Sequence, residues 1–262
     1  PLKPIPEEVS EHEKTHLTYR SWRRPCIRGH GIEMPHMRIE GKPGLPEVYF
    51  DVAFMGEETK PGQTFHIMCV KKHKTRMLMA SIVPTNSMGT FFAARIGIEN
   101  SDRITKTDQE PVRRSIVTEV GRVRAVKGSG KYIIENSVVG DSKSNGVIER
   151  GILSVQQQVR VMKSAVEARW RLQILSKHAI VPWIVEDAAV LLNRFEVGRD
   201  GKTSYERSKG KKSKLLGIEF GEAVLWRGKA IAGALGKLTC LQEDRVYLGI
   251  KGGTSEIIVG NL

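Results

Sequence analysis

The stretch Val48-Tyr49-Phe50-Asp51-Val52-Ala53-Phe54 constrains this chain more than any other. Val48, Phe50, Val52 and Phe54 alternate with Tyr49, Asp51 and Ala53, so a strand here carries apolar groups on both faces. Both faces are therefore expected to be covered. Asp51 falls in the middle, where a lone carboxylate is costly unless it is paired, hydrogen-bonded or bound to a metal. One reading of Asp51 is an ion pair with a Lys or Arg, which a chain this basic supplies readily. The other is a metal ligand.

Further along, a turn at Lys60-Pro61-Gly62 separates this strand from Phe65–Val70, and a basic turn at Lys71-Lys72-His73-Lys74 leads to Met77–Val83. The three runs predict an antiparallel meander. Ala93–Ile98 reads as a short helix, and Arg103–Thr107 as a brief strand that ends at Asp108. Pro111 suits a first helical position, and Ile116, Val117, Val120 and Val123 supply an apolar face as far as Lys127. Tyr132–Ile134 is a fifth strand. The polar stretch from Asp141 then runs into a long helix, with Ser144 or Asn145 as N-cap. Its stripe is Ile148, Ile152, Val155, Val159 and Met162, and the helix is expected to reach Leu175. A second helix, Trp183–Phe195, is apolar nearly all round and belongs against the sheet.

The ends differ from this middle. Residues 1–45 hold six of the prolines and four of the seven histidines and predict an extended arm. His12 and His16 lie one helical turn apart and Cys26 follows, which is half of a zinc site. Arg23 stands where a Cys-x2-Cys pair would need its other thiolate, so zinc is not expected to be held firmly. Residues 46–200 form the core, residues 201–214 a basic linker with Lys211 and Lys212, and residues 215–262 a small β-rich module.

Lys and Arg outnumber Asp and Glu by 42 to 29, a formal charge of +13 that favours a polyanionic partner, nucleic acid before an acidic membrane surface. No apolar run approaches the roughly 18 residues a membrane span needs. No charged-then-apolar leader opens the chain, and the scattered Cys26, Cys69 and Cys240 suit a reducing compartment, so an intracellular location, nuclear or cytoplasmic, is expected and secretion is not. The start at Pro1-Leu2-Lys3, without Met, reads as a piece of something longer.

Three carboxylates fall at element ends: Asp51 on the first strand, Asp108 at the end of the fourth, Glu149 at the head of the long helix. If the first and fourth strands are parallel neighbours, both aspartates face one pocket, and the helix brings Glu149 to it. Taken alone, Glu149 reads first as a residue that complements the helix dipole, and the two upstream aspartates are what change that. Three hard oxygen ligands select Mg²⁺ or Mn²⁺, and such ions serve in-line phosphodiester displacement.

Phe50-Asp51, Lys106-Thr107-Asp108-Gln109-Glu110 and Ser144-Asn145-Gly146-Val147-Ile148-Glu149-Arg150 resemble the D,D,E motifs of retroelement integrases, copia-type most closely. Leu192-Asn193-Arg194, Gly201–Glu206 and Gly210-Lys211-Lys212 are similar to the segment after that core, and His12, His16 and Cys26 to the zinc-binding segment before it. The resemblance implies an α/β, RNase H-like fold: a mixed five-stranded sheet flanked by helices. It implies Asp51, Asp108 and Glu149 as catalytic ligands of two divalent ions, and 3′-end processing and strand transfer on DNA, the element ends and the target, by a homo-oligomer. Asn145 and Gln156 would lie near DNA, with Lys143, Arg150, Arg160, Lys211 and Lys212 facing phosphates. A copy that has lost catalysis and only binds nucleic acid, and a structural assembly module, are the other readings of the same residues.

Overall fold

The computed structural model describes residues 4–15, 20, 22, 44–56, 64–82, 102–108, 110–136, 146–214, 217–227, 240–252 and 254–261. Strand β1 (Glu47–Gly56) is the centre of a five-stranded sheet. It pairs antiparallel with β2 (Thr64–Lys72), which pairs antiparallel with β3 (Leu78–Ile82). On its other side β1 runs parallel to β4 (Arg103–Thr107), and β4 parallel to β5 (Tyr132–Asn136). The order β3-β2-β1-β4-β5, with a meander followed by parallel crossovers, is the mixed sheet of an RNase H-like fold.

Alternation along β1 feeds two cores. Val48, Phe50 and Val52 meet Met68 and Val70 and the apolar face of helix α2 (Pro111–Val126), namely Ile116, Val117 and Val120. Tyr49 turns the other way, with Ile67, Cys69, Leu78 and Ala80, onto helices α3 (Gly146–Trp170) and α4 (Val181–Phe195). That is why both faces of the strand are apolar. Its covered part ends early: Val52 is the last β1 residue in the core beside α2, and Phe54, two residues on, is 61% exposed. The exposed Phe54 ring instead meets His66 edge-on at 4.6 Å.

Helix α3 buries Ile148, Val155, Val159, Met162 and Val166, while Ile152 is only half-buried. It ends at Trp170, short of the expected Leu175. Arg171 adopts a left-handed φ of 51°, and the Ile174 N–H donates to Glu167 Oε1 at 2.7 Å, folding the chain back so that Ile174 is buried. Helix α4 covers β3, the sheet's edge. Asn193 seals that edge with two bonds, accepting from Leu78 N at 2.8 Å and donating to Leu78 O at 2.6 Å.

Within the expected linker, Ser204–Lys209 forms a short helix, α5. It starts with a reciprocal capping box: Thr203 Oγ1 accepts from Glu206 N at 3.1 Å and Thr203 N donates to Glu206 Oε2 at 2.6 Å. A second sheet follows, β6 (Ala223–Trp226), β7 (Glu243–Ile250) and β8 (Ile257–Gly260), antiparallel throughout. Phe220, Val246 and Leu248 lie in the same apolar core as α3 and α4. Residues 1–44 are a separate unit, whose described part is helix α1 (Pro6–Thr15) with Glu7 and Glu8 in its first turn. The expected turn at 60–62, the expected helix at 93–98 and the loop from 141 to 145 lie outside the described residues.

Candidate active site

Register brings the two aspartates together. Glu47, Val48 and Tyr49 pair with Ile104, Thr105 and Lys106, and the same step carried on sets Asp51 beside Asp108 where β4 ends. Asp51 shares the face of Tyr49, the face on which α3 lies. Its side chain is 11% exposed, and Oδ1 accepts from the Val52 N–H at 2.7 Å. Asp108 is held by an Asx-type turn, Oδ1 accepting from Glu110 N at 3.2 Å, immediately before Pro111 opens α2. Glu149 stands in the first turn of α3, exposed.

Burial pushes the Asp51 carboxyl above its ordinary range, and the negative charges of Asp108 and Glu149 push the same way. Arg113 and the Val52 N–H oppose them. Asp51 thus feels the charges of both Asp108 and Glu149.

The cation already among them is Arg113, from the first turn of α2. Its Nη1 lies 2.7 Å from Asp51 Oδ1 and also donates to Asp108 Oδ2, while Nη2 donates to Val52 O at 3.3 Å. Nε is 2.9 Å from Glu110 Oε2, close enough for an ion pair although its N–H is not aimed at that oxygen. Asp51 therefore has the basic partner that was one of its two expected fates. The donor set of Asp51, Asp108 and Glu149 is all carboxylate and suits a hard divalent cation. As the side chains stand, however, no three His, Cys, Asp or Glu groups among the described residues are arranged to hold an ion, and the guanidinium takes the space between the two aspartates.

The other expected site residues scatter. Gln156 Nε2 donates to Phe54 O at 3.4 Å, tying α3 to the end of β1. Arg160 is exposed on α3, and Lys211 and Lys212 are exposed just after α5. Arg150 faces a basic pocket away from the aspartates. Lys143, Asn145, His16 and Cys26 lie outside the described residues, as does the side chain of His12. Sequence reasoning missed Arg113, although it stands five residues after Asp108 and in the first turn of a recognised helix. It also treated Lys71 as a turn residue only.

No protein-family model and no curated protein matches the chain. Solved structures with a similar chain path include the HTLV-2 integrase catalytic core domain in complex with magnesium, with TM-score 0.44, 14% identity, and 61% of this chain and 93% of that chain covered. The catalytic core domain of BIV integrase gives TM-score 0.43 and 14% identity over 62% of this chain and 93% of that one. A simian T-cell lymphotropic virus intasome in complex with PP2A regulatory subunit B56 gamma gives TM-score 0.48 and 10% identity over 96% and 95%. At such identities the likeness concerns the path of the chain, and residue roles come from this chain's own side chains.

Proposed function

We propose that the chain is an integrase-type polynucleotidyl transferase acting on DNA, with Asp51, Asp108 and Glu149 as its reaction centre. What supports this reading is that one Arg113 guanidinium holds both Asp51 and Asp108 where β1 and β4 run parallel, with Glu149 in the first turn of the helix on the Asp51 face. Asp51, Asp108 and Glu149 would hold Mg²⁺ or Mn²⁺, which when bound activates a water or hydroxyl and stabilises the leaving oxygen of a phosphodiester. The chain's own contribution is rigidity and charge. The Val52 and Glu110 N–H groups fix the two aspartates, α3 carries Glu149 on a regular element, and Arg113 offsets part of the charge of the pair. The excess of cations holds DNA through its phosphates, with a strength that falls with salt. Self-association on DNA belongs to the same reading.

The test is 3′-end processing and strand transfer by the full chain in Mg²⁺ or Mn²⁺, beside Asp108→Asn and Glu149→Gln. Loss in both variants is expected; equal activity in all three proteins removes the carboxylates from the mechanism. One observation favours a second reading, a nucleic-acid-binding protein without catalysis: the Arg113 guanidinium already satisfies Asp51 and Asp108. That reading expects no transfer activity, and salt-sensitive DNA binding unchanged by EDTA or by Glu149→Gln.

A further inference from the structure

Beside the first turn of α3, a pocket of about 140 Å³ opens between the end of β2, the turn into β3, the end of α4 and helix α5. Lys71, Arg76, Arg150 and Arg207 line it, with Glu196 as the carboxylate in its wall. Arg207 is already compensated, its Nε donating to Asp200 Oδ2 at 2.9 Å and its Nη2 to Asp200 Oδ1. Among the described residues, Lys71, Arg76 and Arg150 make no salt bridge and no side-chain hydrogen bond. Three cations without a salt bridge thus line one hollow, with Glu196 in its wall and the Asp200 carboxylate, already bound by Arg207, on the Arg76 side near Gly198.

The backbone is shaped to let them converge. Gly151 leaves room for Lys71 over α3: a Cβ there would stand 3.2 Å from Lys71 Cδ and 3.5 Å from Nζ. At Gly198 a Cβ would collide with Arg207 Nη2 and stand 3.1 Å from Arg76 Nη1. Arg76 itself holds a left-handed φ of 59°, which residues other than glycine avoid, and Ser204 Oγ donates to its carbonyl at 3.1 Å. Burial lowers the pKa of the Lys71 ammonium, opposed by Glu196 and reinforced by Arg76 and Arg150. Like charges crowded into a half-buried hollow are unfavourable until an anion completes them. Two guanidinium forks and an ammonium suit the several oxygens of a phosphate better than they suit a single carboxylate.

The geometry points to a phosphate-binding pocket in which Lys71, Arg76 and Arg150 grip one phosphodiester of a nucleic-acid strand. Naming the strand rests on the transferase reading, through the adjacency of Arg150 to Glu149. The binding of phosphate does not.

The test uses the full chain, with Lys71→Gln, Arg150→Gln and, as an exposed control, Lys127→Gln, each checked by circular dichroism. Inorganic phosphate is titrated in a thermal melt, and DNA binding is followed by fluorescence anisotropy across a salt series. The expected result is that phosphate raises the wild-type melting temperature, and that Lys71→Gln and Arg150→Gln lose that shift. In each of those two variants the slope of log affinity against log salt also shrinks by about one, with no change for Lys127→Gln. A phosphate shift with unaltered DNA slopes would overturn the strand assignment and leave a site for free phosphate. No shift and unaltered slopes would overturn the pocket altogether. Arg150 is exposed, so its variant reads the proposal even if Lys71→Gln fails to fold. Asp108→Asn is expected to retain the phosphate shift, so a failure of the transferase reading is separable from a failure of this one.

Discussion

Replacing Arg113 by alanine tests the acidic cluster most directly. The guanidinium binds both Asp51 and Asp108, and the three side chains are 16%, 11% and 31% exposed, so the charges are largely out of bulk water. Adjacent strands lie about 4.8 Å apart. Without Arg113, two carboxylates at roughly 5 Å repel by about 3 kcal/mol at an effective dielectric near 20. Removing one partner of a buried pair generally costs about 3–5 kcal/mol, and the partly exposed Asp108 pulls this case toward the lower end. Against a typical stability of about 5–15 kcal/mol, that loss is plainly measurable in urea with EDTA present. Magnesium or manganese should then restore it, by about 2.7 kcal/mol at a hundredfold excess over the dissociation constant, while wild type responds much less because its own cation is in place. Arg113→Ala combined with Asp51→Asn should recover much of the stability in EDTA and respond less to metal. An Arg113→Ala protein as stable as wild type in EDTA, or one that ignores divalent ions, would refute the idea that the guanidinium stands in for a metal.

Three other outcomes are expected. Burial raises the Asp187 carboxyl to about 6, against the Ile250 N–H and Arg194. The folded state therefore binds the extra proton between about 3.8 and 6, and the stability tied to it, present below that window, is lost as pH rises through it. Asp187→Asn should then be more stable than wild type at pH 7.5, by up to about 3 kcal/mol, with the gain fading toward pH 4 in urea titrations. Asn193→Leu orphans the Leu78 N–H and carbonyl, two buried groups at about 1–3 kcal/mol each, and should lower the urea midpoint accordingly. Cys69 is fully buried, with its thiol pushed up to about 12, so a thiol reagent should leave it unlabelled in the native protein and reach it only on unfolding, while the exposed Cys240 reacts at once. Mass spectrometry of peptides reads both.

The sheet was legible where periodicity and pairing are local. Apolar groups on both sides of β1 announced two cores, and Pro111 marked the start of α2. Phe54 misled, because alternation tells which side a residue faces and says nothing of how far along the strand the covering core extends. Leu175 misled because the apolar spacing continues past Arg171, while the left-handed turn there depends on Glu167 bonding back to Ile174. The capping box at Thr203 and Glu206 was written in the sequence and was hidden only by the basic residues around it. Of the candidate site, Asp51 stood out as a carboxylate inside an apolar strand, and Asp108 by its place just after β4. The partnership with Arg113 could not, because it depends on how the first turn of α2 is rotated above the parallel pair. The gathering of Lys71, Arg76 and Arg150 joins elements far apart in the chain, and nothing local announces it.

The join between α3 and the last segment has a practical side. Trp170 Nε1 donates to Gly221 O at 2.7 Å, and Gly221, at φ +79°, lies so close to Val166 that a methyl group would not fit. Phe220 completes the floor beneath that contact. Truncation at Lys214 would therefore strip the lid from a finished interior and leave a sticky, poorly soluble remnant. Whoever trims this protein for study gains more by cutting before Leu45 than after the basic stretch.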